Sequence, residues 1–247
     1  MTFTDILPLL FPLFQFFKKN TWNIKYKRLF GLVSYFFLIL WATFAIYYEL
    51  LEKDFVNVIL LTLMILFVSY LLYKNPRMLE RRFIVNTISI AVLIYFPAKL
   101  FDSFIGTLTN ATAYFAYLLS KNLVANINFE YTVINSWEYS YKFTFACTGL
   151  QSIALVISPI LAADFRKYWK KALGVSVLIY LLNMVRSVGV IYGVEVLDID
   201  YYLLHTLVMK FFSIVVIIII FYYVLSTTKE LAEELKGMIN EAIKTLF

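Results

Sequence analysis

The chain has 247 residues, of which 62% are hydrophobic and 15% are charged, and its formal net charge is +6. Soluble domains carry about a quarter of their residues as charged side chains and leave much of their surface in water, so this composition excludes an ordinary soluble domain. Because the lysines and arginines lie in short clusters between apolar segments, the positive charge is typical of a membrane protein and not of a nucleic-acid-binding surface. The single cysteine excludes an internal disulfide and a cysteine-based zinc site, and we expect neither a cofactor nor a metal.

The first apolar segment, residues 6–17, is about 18 Å long as a helix and too short for the ~30 Å apolar core of a bilayer. We predict an interfacial helix here, with a tilted extra span as the alternative. Lys18 and Lys19 follow this segment instead of preceding it, so the pattern is not typical of a cleaved signal peptide.

Six further segments are apolar and long enough to be predicted as transmembrane helices, because a backbone in lipid must pair its amides internally. The predicted fold class is an all-α polytopic transmembrane helix bundle, a single integral membrane domain over residues 1–247, with up to eight membrane-associated helices. The six predicted spans are residues 30–48, 55–73, 83–101, 148–163, 172–192 and 202–225.

The distribution of charge predicts the orientation of these spans. In a six-span arrangement, most of the basic residues lie on one side of the membrane. The other side carries acidic residues such as Glu195 and Asp198. The positive-inside rule therefore predicts both termini in the cytoplasm. A seventh crossing at residues 105–119 would disturb this orientation, and we expect an extracytoplasmic or interfacial helix there instead. The sixteen basic residues on the cytoplasmic side lie in segments 18–28, 74–82, 166–171 and 229–244.

The longest segment predicted outside the membrane is residues 102–146, inserted before the fourth span. From residue 126 to residue 145, polar residues alternate with β-branched or aromatic ones, and Asn135-Ser136 separates two such runs. This pattern predicts a β-hairpin that lies over the outer face of the membrane.

Polar and ionisable side chains inside a membrane span cost free energy, so each one is a candidate for a functional role. The six-span arrangement places three of them at one depth near the outer face: Cys147 at the start of span four, Arg186 about 21 Å along span five, and His205 in the first turn of span six. A thiol attacks a carbonyl as its thiolate, which helix N-terminal amides and a nearby guanidinium favour. His205 can carry a proton near neutral pH, and Arg186 can stabilise the thiolate or an oxyanion. Asn183 shares the helix face of Arg186.

Simpler explanations remain open for each of these residues. A buried cysteine usually packs as a small apolar side chain, a histidine at a span end often lies in the interface, and an arginine can extend toward water. Lys210 lies about 140° around its helix from His205, so the two need not share a site. The alternative function is a transporter or lipid-binding membrane protein in which Arg186, Lys210 and His205 hold an anionic headgroup. A purely structural membrane subunit is a third possibility.

A family resemblance lies in these same residues. The segment Ala146-Cys147-Thr148-Gly149-Leu150-Gln151-Ser152 resembles the cysteine motif of the exosortase and archaeosortase family. Asn183-Met184-Val185-Arg186 is similar to that family's Asn-x-x-Arg motif, and His205 is similar to its third signature position. The order Cys, Arg, His matches on three successive spans, and the modest length and richness in Lys, Ile and Tyr are most like an archaeosortase.

This resemblance implies an intramembrane cysteine transpeptidase or protease in the cell membrane, with its active site at the extracytoplasmic face. Its substrates would be secreted proteins that end in a short motif, a hydrophobic helix and a basic tail. Cys147 would form a thioester acyl-enzyme that an amine-bearing membrane lipid resolves. The implied site consists of Cys147 as nucleophile, Arg186 for thiolate or oxyanion stabilisation and His205 as general acid and base, with Asn183, Gly149, Gln151 and Ser152 in supporting positions.

Overall fold

The structure is a computed structural model that describes residues 6–21, 24–51 and 55–246. Helices dominate it, as the apolar composition requires of a backbone without access to water. The α-helices of the described chain are α1 (Leu10–Asn20), α2 (Ile24–Leu51), α3 (Phe55–Lys74), α4 (Pro76–Leu79), α5 (Arg82–Leu100), α6 (Asp102–Ser120), α7 (Leu150–Ala163), α8 (Phe165–Glu195), α9 (Met209–Thr227) and α10 (Lys229–Leu246). A 3₁₀ turn over Phe145–Thr148 precedes α7, and a π-helical turn over Leu203–Val208 precedes α9.

Four of the described helices are long and apolar enough to cross a membrane, so the fold is that of a mainly helical, multi-pass membrane protein. Helices α5 and α6 meet this criterion only as a pair, with a break in the helix between them. Helix α7 has 14 residues, which gives roughly 21 Å and falls short of a bilayer core. The predicted count of six spans therefore stays a prediction. The four qualifying segments are Tyr26–Leu51, Asn57–Lys74, Phe165–Glu195 and Leu203–Thr227.

The chain divides into two compact units, and the prediction of a single membrane domain is not tested by this division. The first unit comprises Met1–Leu100, Ser158–Arg166 and Thr228–Phe247. Its core lies where α1 packs on α2: Phe11 is fully buried, and its ring meets that of Tyr35 edge to face at 5.2 Å. The hydroxyl of Tyr35 donates a hydrogen bond of 2.5 Å to the carbonyl of Leu79.

Polar contacts in the first unit gather around the short connection between α3 and α5. Lys18 Nζ lies 2.8 Å from Glu80 Oε1. Asn75 Nδ2 donates to Glu241 Oε1 at 3.2 Å, and Arg81 Nη1 lies 3.6 Å from Glu241 Oε2. Through Glu241, α10 is attached to this connection.

The second unit comprises Phe101–Ile157 and Lys167–Thr227. In its core, the alanines Ala113 and Ala116 of α6 are fully buried, because small side chains let neighbouring elements approach closely. They belong to one cluster with Ile134, Tyr141 and Leu204, against which Cys147 packs. The helix expected at residues 105–119 is thus present as part of α6, and its position relative to the membrane stays a prediction.

The β-hairpin expected over residues 126–145 is a three-stranded antiparallel sheet, β1 (Asn128–Glu130), β2 (Val133–Asn135) and β3 (Ser140–Lys142). The turn expected at Asn135-Ser136 links β2 to β3, where Ser136 N donates to Tyr139 O at 2.8 Å. A second turn, at Tyr131-Thr132, was not expected. Tyr131 has φ 53°, a left-handed conformation that usually selects Gly or Asn, so no sequence signal announced this turn.

Candidate active site

Cys147 lies just before α7 and not in its first turn. It sits in the 3₁₀ turn, where its amide donates to Thr144 O at 2.9 Å, and the carbonyl of Gly149 accepts the bond from Ile153 N that opens the helix. Gly149 has φ 73°, a conformation that costs little only for glycine. The span predicted to begin at residue 148 thus begins at Leu150, and a left-handed residue separates the thiol from the helix. Cys147 itself is half-buried.

Asn183 of α8 holds the backbone of the cysteine segment. Its Nδ2 donates a hydrogen bond of 2.5 Å to the carbonyl of Cys147. A Cβ added to Gly149 would lie 3.1–3.2 Å from side-chain atoms of Asn183, so α8 approaches the turn closely at this point. The sequence predicted Asn183 only as a neighbour of Arg186; the structure places it directly against the cysteine segment and Gly149.

Tyr201 contacts one of the three candidate catalytic groups and lies within electrostatic reach of the other two. Its ring stacks on that of His205 with 5.2 Å between centroids and an interplanar angle of 10°. Burial raises the pKa of the Tyr201 hydroxyl, the charge of Cys147 raises it further, and the charge of Arg186 lowers it. Cys147 and Arg186 therefore both lie within electrostatic reach of the tyrosine that stacks on His205.

His205 lies in the π-helical turn, where Met209 N donates to Leu204 O. Such i→i+5 turns are rare and are often found at functional sites. Asp200 caps this turn, since its Oδ1 accepts from Leu203 N at 2.8 Å. Tyr201 and His205 are four residues apart, so they share one face of the chain as it enters α9.

Arg186 lines a cavity between α7, α8 and α9. Its polar wall is completed by Asn183, Ser152 and Ser213, and the rest is apolar. Ser152 of the cysteine motif thus faces this cavity, whereas Gln151 is exposed. Among the described residues that line the cavity, neither Lys210 nor His205 appears. The apolar lining consists of Ile179, Leu182, Phe212, Val216, Ile217 and Ile220.

A carboxylate at the end of α8 connects the sheet to this site. Glu195 Oε1 accepts hydrogen bonds from Tyr141 Oη at 2.6 Å and from Ser136 Oγ at 2.5 Å. Burial and the adjacent Glu195 carboxylate raise the pKa of Tyr141 well above its usual range. The Tyr141 ring lies 6.2 Å from that of Tyr201. Contacts therefore run from Glu195 through two tyrosines to His205.

Sequence reasoning missed Tyr201, Tyr141 and Glu195. Tyr141 counted only as part of the alternating pattern that predicted the hairpin, Tyr201 was one of 19 tyrosines without a predicted role, and Glu195 counted only as an acidic residue outside the membrane. The four-residue spacing of Tyr201 and His205 was the one available signal. Within residues 6–21, 24–51 and 55–246, no group of three or more His, Cys, Asp or Glu side chains could hold a metal ion.

Comparison with known proteins identifies the family. The model of the transmembrane exosortase family matches residues 4–228, which is most of the chain. No match was found among curated proteins or among solved structures. The matched region contains the cysteine segment, the α8 residues Asn183 and Arg186, and His205.

Proposed function

Since the chain belongs to the transmembrane exosortase family, we propose that it cleaves C-terminal sorting signals through a thioester on Cys147 and transfers the new carboxyl end to a lipid amine. Family membership itself indicates a cysteine-type transmembrane transpeptidase or protease that acts on secreted proteins with such signals. The nucleophile, the acceptor and the archaeosortase-like subtype are parts of the proposal.

In the first half-reaction the thiol of Cys147 gives its proton to His205 and its sulfur attacks the scissile carbonyl. Arg186 stabilises the thiolate or the oxyanion of the tetrahedral intermediate. When the C–N bond breaks, the amine of the departing C-terminal helix takes the proton from His205, and the substrate remains bound as a thioester.

In the second half-reaction the amine of the acceptor lipid attacks the thioester. A C–N bond forms, the C–S bond breaks, and the proton that the amine loses passes through His205 to the sulfur, which regenerates the thiol of Cys147. The substrate's apolar helix lies in the bilayer before cleavage, so a cut near the outer membrane surface fits a cysteine at the extracytoplasmic face, with both termini of the enzyme in the cytoplasm.

One side chain supports the assignment of the three residues: Tyr201 stacks on His205 and lies within electrostatic reach of Cys147 and Arg186. Asn183 supports the same site through its bond to the carbonyl of Cys147. The alternative is a lipid-binding protein that uses Arg186, Lys210 and His205 together. The cavity does not support it, because Arg186 lines the cavity and the other two residues do not.

The test uses a reporter, which is a secreted protein with an added C-terminal sorting signal. The signal is taken from a secreted protein that is encoded in the same genome as this enzyme. Co-expressed with the full chain, the reporter should lose its C-terminal helix and gain a lipid, which mass spectrometry detects. Cys147→Ala should abolish both changes, because no other thiol exists in the chain. Cleavage that persists in Cys147→Ala would overturn the proposal.

A hydroxylamine-sensitive adduct between enzyme and reporter should accumulate when the acceptor lipid is depleted, as expected for a thioester. The control is Arg166→Ala, an exposed position at the start of the same helix that carries Arg186. Arg166→Ala should cleave the reporter at the wild-type rate, whereas Arg186→Ala should cleave it much more slowly.

A further inference from the structure

The three-stranded sheet has an open edge that leads to the thiol. Its strand order is β1-β2-β3, so β3 is paired on one side only. It runs antiparallel to β2, with Ile134 opposite Tyr141 and Val133 opposite Lys142. Edge strands present a row of unpaired backbone amides and carbonyls to which an extended peptide can bind.

The hydrogen-bond register shows which groups face this edge. Phe143 N donates to Thr132 O at 2.8 Å, and Tyr139 O accepts from Ser136 N at 2.8 Å. In an antiparallel pair, alternate residues direct their backbone groups to opposite sides, so residues 139, 141 and 143 face β2. The backbone groups of Ser140 and Lys142 and the amide of Thr144 consequently face the open edge, whereas Thr144 O already accepts from Cys147 N. All three residues are exposed.

The same strand is fixed from behind. Tyr141 and Phe143 are only 8% and 7% exposed, since they belong to the core cluster of the second unit. Tyr141 is also bonded to Glu195 at the end of α8. Strand β3 is therefore fixed in position by its buried side chains, while its unpaired edge stays accessible.

The edge ends at the candidate nucleophile. Thr144 is extended, with φ −120° and ψ 172°, and it is the last residue before the 3₁₀ turn. Its Oγ1 lies 3.6 Å from Cys147 Sγ. A peptide that paired with β3 as far as Thr144 would lie about one strand spacing (~4.8 Å) from this residue, whose hydroxyl contacts the sulfur.

We propose that the substrate segment next to the scissile bond binds as a fourth strand on β3, through the backbone groups of Lys142 and the amide of Thr144. This inference rests on the proposed function, because it supplies the peptide-binding mode of that same site. Binding through the backbone explains how different substrate sequences are accepted, while side chains at every second position remain available for selection.

The first experiment maps the pairing directly. Cys147→Ala removes the only cysteine of the chain and leaves the reporter uncut. In that background, Lys142→Cys is combined with single cysteines at successive positions of the reporter segment upstream of its apolar helix, and the pairs are oxidised in native membranes. Crosslinking should rise and fall with a period of two residues, because strand side chains alternate between faces.

The matched control is Glu130→Cys, an exposed position on β1 at the other edge of the same sheet. It should give little crosslinking at any reporter position. Crosslinks that show no two-residue period, or that are equally strong from Glu130→Cys, would overturn the inference.

The second experiment tests the backbone amide. With Cys147 present, Lys142→Pro removes the N–H that faces the edge, whereas Lys142→Ala removes only the side chain. Reporter cleavage should fall by about tenfold for Lys142→Pro and by less than about threefold for Lys142→Ala. Labelling of Cys147 with iodoacetamide checks that both variants keep the folded site. If Lys142→Pro does not keep the folded site, the crosslinking pattern of the first experiment tests strand pairing instead. Equal cleavage in two folded variants contradicts strand pairing, while a wild type that never cuts the reporter overturns the proposed function instead.

Discussion

Charged side chains are used differently in the two units. In the first unit, Lys18 and Arg81 lie beside the carboxylates of Glu80 and Glu241, and these pairs attach α1 and α10 to the connection between α3 and α5. In the second unit, Arg186 lines a cavity, and its charge opposes the rise in the pKa of the Tyr201 hydroxyl. The comparison teaches that the role of an arginine in a helical membrane protein depends on its neighbours: beside a carboxylate it holds two segments together, and in the wall of a cavity it can contact a bound molecule.

Replacing these two arginines should give the largest contrast. Arg186→Ala should lower reporter cleavage by about 10²–10³-fold, the usual loss when a group that stabilises an oxyanion is removed. Arg81→Ala should leave the cleavage rate nearly unchanged. The measurement is the initial rate of reporter processing per amount of folded enzyme, and similar losses in both variants would erase the distinction between the units.

The left-handed residue beside the thiol gives a second test. Gly149→Ala should cost about 1–2 kcal/mol of stability, because it forces a side chain into a left-handed conformation, and its Cβ would crowd Asn183. Displacement of the Cys147 carbonyl should also lower cleavage. Gly174→Ala in α8 is the control, since a Cβ there meets nothing within 4 Å, and it should stabilise the helix by up to about 1 kcal/mol. Thermal unfolding in detergent and the reporter assay measure the two effects.

Tyr201 separates ring stacking from the hydroxyl group. Tyr201→Phe keeps the ring that stacks on His205 and should retain cleavage within about threefold, whereas Tyr201→Leu should lose about tenfold, since aromatic pairs contribute roughly 0.5–1.5 kcal/mol. Because His205 is the proposed proton carrier, Tyr201→Leu should also move the pH profile of cleavage, which a loss of packing alone would leave in place. An unchanged profile would make Tyr201 a packing residue only.

The smallest effect is expected in the first unit. Glu241→Gln removes the charge beside Arg81, but both side chains are more than a third exposed, at 37% for Glu241 and 35% for Arg81. Screening by water limits such pairs to about 0–1 kcal/mol. We expect a thermal midpoint within a few degrees of wild type and unchanged cleavage. A large loss of activity would show that the first unit takes part in the reaction.

The sequence allowed several of these features to be predicted because they follow from local rules. Long apolar runs predicted helices, and the cost of polar groups in lipid singled out Cys147, Arg186 and His205. Of these three, the structure shows His205 stacked on Tyr201 and Arg186 lining a cavity. Features that depend on contacts between distant residues were missed. No periodicity marks the bond from Asn183 to Cys147, or the hydroxyls of Ser136 and Tyr141 on Glu195.

Two further differences have a stereochemical cause. Cys147 was placed at the opening of a helix, but the left-handed Gly149 delays α7 until Leu150. The turn at Tyr131 lacks the Gly or Asn that normally announces it. The number of membrane crossings is equally hard to read from composition, because α5 and α6 are long and apolar enough to cross a membrane only when they are counted as one broken span.

The π-helical turn at Leu203–Val208 has an evolutionary consequence. Each of its hydrogen bonds takes in one residue more than an α-helical bond does, so residues before and after it follow different helical phases. The face that carries Tyr201 and His205 is thereby uncoupled from the face of α9 that carries Phe212, Ser213 and Val216. Loss of a single residue within the turn would restore one continuous phase and rotate His205 by about 100° relative to the cavity wall. A single insertion or deletion in this turn can therefore change the direction in which His205 points relative to the cavity wall. The lipid-facing sequence of α9 that follows would stay the same.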